Sequence, residues 1–73
     1  MNECIAKSKN AAITVTMKEK YGPEKTYTNL TVIMSHDNSF YLVGRGGTEA
    51  ILPKANWAIA SLENGEPNEG TDS

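Results

Sequence analysis

Seventy-three residues, 38% apolar and 22% charged, with a net charge of −2, make a single small domain. A chain this short buries only ~60% of the surface it exposes when unfolded. No apolar run approaches the ~18 residues of a membrane span. The polar opening MNECIAKSKN also lacks the apolar stretch of a signal peptide, so a cytoplasmic protein is expected.

Residues 1–10 show neither the helical nor the strand period and are expected to be an N-terminal arm or an irregular first strand. Cys4, within them, is the only cysteine, which excludes an intrachain disulfide. Together with the only histidine, His36, it falls short of the four ligands of a structural zinc site. No metal and no cofactor is expected.

From Ala11 the pattern is that of a half-buried strand: Ile13, Val15 and Met17 alternate with Thr14, Thr16 and Lys18. Gly22-Pro23 marks a turn. TYTNLTVIMS follows, rich in β-branched and aromatic residues, with Leu30, Val32 and Met34 expected on one face and Tyr27, Thr31 and Ile33 on the other. HDNS carries turn chemistry. FYLVG is the next strand, setting Phe40 and Leu42 opposite Tyr41 and Val43.

GRGG then poses a choice between a phosphate-binding loop and a turn. Such a loop must lead into a helix whose N-terminal N–H groups hold the anion. TEAIL followed by Pro53 is too short for that, and Gly44, Gly46 and Gly47 match no phosphate-loop spacing. The glycines therefore mark a hairpin turn with positive-φ residues. Pro53 breaks the next strand, and residues 53–62 are open to two readings. WAIASL alternates like a strand, while its alanines and the leading proline also suit a short helix. Residues 63–73, polar and rich in Gly, Pro and acids, are expected to be a disordered acidic tail.

These elements predict an all-β domain over residues 11–62: a small five-stranded antiparallel barrel or a strongly bent sheet. LTVIMSHDNSFYLVGRGGTEAILPKANWAIASLE resembles the second half of SH3-like domains. There a strand, an acidic turn, an aromatic pair (Phe40-Tyr41 here) and a Gly-containing hairpin lead into a Pro–Asn–aromatic turn (Pro53, Asn56 and Trp57) and a last strand. The resemblance implies an SH3-like barrel. It does not extend to that family's proline-rich-peptide site, because the first half has no tyrosine-rich opening motif and no long acidic loop.

Catalysis finds no good set of residues. His36 stands beside Asp37 with Ser35 and Ser39 near it, but adjacent turn residues do not form an oriented triad. Asp37 and Glu49 are not brought together by anything in the sequence. Two strands offer apolar residues on both faces, which suggests one face on the core and one on a partner. The expected function is a non-enzymatic protein-interaction module, a small accessory protein of the size and style found in bacteria and their phages. Its contact surface would be aromatic and apolar, drawn from Tyr27, Phe40, Tyr41, Pro53 and Trp57, with a homodimer as one form. The alternative is single-stranded nucleic-acid binding through Lys7, Lys9, Lys18, Lys20, Lys25 and Arg45. Residues 1–62 hold all seven basic groups and five of the nine acidic ones, a local balance of +2.

Overall fold

The computed structural model describes residues 2–65. It contains six strands: β1 (Asn2–Lys7), β2 (Ile13–Glu19), β3 (Glu24–His36), β4 (Ser39–Gly44), β5 (Gly47–Pro53) and β6 (Trp57–Asn64). All pairings are antiparallel, in one sheet of order β5-β4-β3-β2-β6, and β1 also pairs with β3. The ladder path is open, with β5 at one end and β6 at the other. No helix among the described residues is long and apolar enough to cross a membrane.

β3 organises the sheet. Its first half takes β2 along one edge, from Glu24 opposite Lys18 to Leu30 opposite Ile13. Its second half takes β1 along that same edge, from Val32 opposite Lys7 to His36 opposite Asn2. β4 lies on the other edge of this second half, from Leu30 opposite Gly44 to His36 opposite Ser39. β1 and β2 thus run end to end beside one long strand. The join is fastened where the Ser8 amide donates to the Thr31 carbonyl (2.7 Å) and the Ala12 amide to Ser8 Oγ (3.0 Å).

β3 must curl sharply. Thirteen residues in a straight strand would hold its ends ~40 Å apart. Yet the Lys54 amide donates to the Asn38 carbonyl (2.7 Å), and the Lys20 amide donates to the Asn56 carbonyl (2.7 Å). Three residues, 54–56, therefore link the turns beyond the two ends of β3, a reach of at most ~10 Å. The sequence supplies the means at residues 29–32. Leu30 and Tyr27 oppose Ile13 and Val15, leaving an extra residue on β3, and Asn29 there has φ 59°. Leu30 and Val32 then oppose Gly44 and Val43, leaving Thr31 extra. Its Oγ1 donates to the Val43 carbonyl at 3.1 Å. Bulges bend a strand and increase its twist. Each of the five pairings carries one such shift.

The core lies on the inner side of the bend. Ile13, Val15, Met17, Leu30, Ile33, Leu42 and Leu52 are buried, with Ile5, Ala6, Tyr27, Phe40, Ala50, Trp57 and Ile59 packed against them. Several expectations are corrected here. Six strands replace five, because residues 2–7, open to an arm or an irregular first strand, are a strand paired with β3. Their alternation is masked by a bulge at Ile5, since Cys4 opposes Met34 while Ala6 opposes Ile33. Of the two expected forms, barrel or strongly bent sheet, the ladders show the bent sheet with an open path. In β3 the inward residues change parity across Thr31, so Leu30 and Ile33 are buried and Val32 and Met34 face outward. Residues 57–62 are strand, and β6 runs on to Asn64, two residues into the segment assigned to the tail. The Gly65 amide donates to the Ala12 carbonyl (3.0 Å), and residues 66–73 lie outside the described residues.

GRGG is a turn: Arg45-Gly46 joins β4 to β5 between the paired Gly44 and Gly47. Only Gly47 has the positive φ expected of the three glycines, at 119°. At Gly44 a Cβ would lie 2.9 Å from Glu49 Oε2, the end of an exposed side chain that can swing aside, and 3.4 Å from the Asn29 carbonyl, an ordinary contact.

Leu30, fully buried where β2, β3 and β4 meet, is the position on which the packing depends most. Leu30→Ala should cost about 2–5 kcal/mol in denaturant unfolding. Leu62→Ala, at a 41% exposed site, should cost under ~1 kcal/mol.

Candidate interaction surfaces

The bend gives the sheet two outer faces of different character. On the half built from β6, β2 and the start of β3, the outer rows are Ala58, Lys18 and Glu24, then Ser61, Thr16 and Thr26, with Glu63 beside Thr14. Apart from Ala58 these are polar or charged, and Thr16 and Thr26 share a hydroxyl hydrogen bond of 3.1 Å.

On the half built from β1, the end of β3, β4 and β5, the middle outer row is Cys4, Met34, Tyr41 and Ile51. The row beside it is Lys7, Val32, Val43 and Thr48, and the row at the far end holds His36, Ser39 and Pro53. Six adjoining apolar or thiol side chains thus face away from the core, bordered by Lys7, Thr48 and His36. Ile51 is 54% exposed, and Cys4 is a free, exposed thiol. Met34, His36, Tyr41, Val43 and Thr48 line a shallow depression of about 310 Å³.

The expected contact residues are divided by the fold. Tyr41 and Pro53 lie on this outer face. Tyr27, Phe40 and Trp57 point inward and pack partly against the core. The fold therefore brings Tyr41 and Pro53 to one face and sets Tyr27, Phe40 and Trp57 on the other. Tyr27 has Lys25 Nζ 5.4 Å above its ring, and Phe40 has Lys54 Nζ at 5.5 Å. The parity change at Thr31 hid Val32 and Met34 as surface residues, and the bulge at Ile5 hid Cys4. Tyr41 and Val43 could be recognised because β4 is regular over FYLV.

The basic residues are divided as well. Lys18 and Lys20 flank the β2–β3 hairpin, and Lys25 follows at the start of β3. Lys7 borders the apolar face, Lys9 lies in the β1–β2 connection, and Arg45 lines a separate cleft with Asn10, Asn29 and Glu49. The six form no single basic surface. The fold instead sets Lys54, distant in sequence, beside Lys18 and Lys20.

His36 Nε2 lies 3.3 Å from Asp37 Oδ2, and its ring is 6.1 Å from that of Tyr41 at 55°. Its Nδ1 is enclosed without a protein partner. Ser35 is buried on the opposite face of β3, so no hydroxyl nucleophile from that residue can join it. Asp37 and Glu49 occupy opposite ends of the β4–β5 hairpin and form no acid pair. Among the described residues no three His, Cys, Asp or Glu side chains cluster to hold a metal. No protein-family model matches the chain, and no curated protein or solved structure matches it.

Because Ile51 is on the surface, Ile51→Lys should shift stability in urea unfolding by under ~1 kcal/mol. A loss of several kcal/mol would mean that this face is packed against the protein itself.

Proposed function

We propose that this chain is a non-enzymatic protein-interaction module of SH3-like small-barrel type, working in the cytoplasm and docking a protein on the outer face of β1, β3, β4 and β5. The architectural part of the reading rests on connectivity. One strongly bent strand is shared between two half-sheets, β6-β2-β3 and β3-β4-β5, and a short turn at Pro53 joins the last two strands.

The functional part rests on one observation: the two outer faces of the same sheet differ, one polar apart from Ala58 and one with Cys4, Val32, Met34, Tyr41, Val43 and Ile51 adjoining. An apolar patch is not an inevitable by-product of so small a sheet, since the polar half avoids one. Cys4 and Ile51 are exposed and the other four partly so, and a contiguous apolar patch open to solvent suits an interaction site. Four strands and three rows give a footprint of roughly 400 Å². That is about half of what one partner contributes to a standard interface. A contact of that size falls at the small, transient end of protein interfaces unless the partner extends over the rim.

A second copy of the chain is the first partner to test. Light scattering should show dimer at high micromolar concentration and monomer on dilution, with little change between low and high salt. Ile51→Lys should be monomeric throughout. If the wild-type chain is monomeric at every concentration, wild-type and Ile51→Lys baits are compared in capture from the native cell. A partner bound only by the wild type supports the docking face, and identical sets bound by both baits overturn it.

A further inference from the structure

A different observation concerns the other end of the molecule. The β2–β3 hairpin tip carries Tyr21, 90% exposed, the most exposed of the large apolar side chains. Lys20 Nζ stands 5.5 Å from its ring centroid. Below the tip, Lys18, Lys20 and Lys54 line a cleft of about 390 Å³ together with Glu19 and Trp57. The cleft exists because the β5–β6 turn is tied to the hairpin by the Lys20 amide bond to the Asn56 carbonyl.

The hairpin is a fixed support. Lys18 Nζ donates to the carbonyls of Glu19 (2.9 Å) and Gly22 (2.6 Å), and the Gly22 amide donates to the Glu19 carbonyl (3.3 Å). Lys18 is thus tied into the turn, while the ammonium groups of Lys20 and Lys54 lie over the faces of Tyr21 and Phe40. The cleft residues carry a local balance of +2, three lysines against Glu19. Close by in the pairing, Glu24 opposite Lys18 and Lys25 opposite Met17 offset each other. At ~0.1 M salt charges more than ~10 Å apart are largely screened, so this local balance outweighs the chain's overall −2.

We infer that this end binds single-stranded nucleic acid, with a base stacked on Tyr21 and backbone phosphates held by Lys20 and Lys54. An exposed ring beside cations on a braced hairpin is the combination that strand binding uses: stacking on an aromatic face and a basic groove for the backbone. A carboxylate-bearing peptide would use the lysines and leave the tyrosine ring idle. DNA and RNA present the same chemistry here.

The test is fluorescence anisotropy of a short labelled oligothymidine, and of an oligouridine of equal length, titrated with the full chain at several salt concentrations. Binding should weaken with salt, with a log–log slope of roughly −1.4 for two phosphate contacts. Tyr21→Ala, at a site too exposed to disturb folding, should weaken binding about tenfold or more. Lys20→Gln with Lys54→Gln should flatten the salt slope while leaving the far-ultraviolet circular dichroism unchanged. Binding of either oligonucleotide with these effects supports the inference, and the ratio of the two identifies the preferred sugar. No binding at low salt, indifference to Tyr21→Ala, or equal affinity for oligoglutamate would overturn it.

Discussion

Everything in this molecule depends on the bend in β3 at residues 29–32. A 73-residue chain with no disulfide among its described residues has to bury its apolar side chains by folding one sheet over itself. Two adjacent bulges, with Asn29 at positive φ and Thr31 holding the Val43 carbonyl, make the turn without ending the strand. The residues that then face one another across the bend, Ile13, Val15 and Met17 from one half and Ile33, Leu42 and Leu52 from the other, belong to a single buried cluster. Leu30, at the bend itself, belongs to both halves.

The same bend determines what remains outside. Inward positions are used up by the core, so any partner must be met by the outer rows or by the tips of the turns. The polar outer rows of β2 and β6 suit solvent. The apolar rows of β1, β3, β4 and β5 suit a protein surface. By drawing the β5–β6 turn up to the β2–β3 hairpin, the bend also makes the lysine-lined cleft, so the two proposed surfaces lie on separate parts of one small fold.

Local pattern revealed the regular parts of this fold. β2 was legible from Ile13, Val15 and Met17, the turns from Gly22-Pro23, Asp37-Asn38 and the glycines, and β4 from its clean alternation. The bulges defeated the rest. A one-residue slip transfers every later side chain to the opposite face, which is why simple alternation groups Val32 and Met34 with Leu30 and sets Ile33 on the other face. β1 was obscured for the same reason, with Ile5 standing out of register. The approach of Lys54 to Lys18 and Lys20 is a product of tertiary folding and has no local signal. Of the five residues expected to form one contact surface, Tyr41 and Pro53 are placed together, while Tyr27, Phe40 and Trp57 are engaged with the core.

The most direct test of this account is the distance across the bend. Spin labels at Lys20→Cys and Asn38→Cys, in a Cys4→Ser background, report the separation of the two turns by pulsed electron resonance. The chain of backbone bonds through residues 54–56 predicts a distance below about 25 Å once the label arms are included. A separation near 40 Å or more, the length of a straight β3, would contradict the bend, the core built on it and both surfaces.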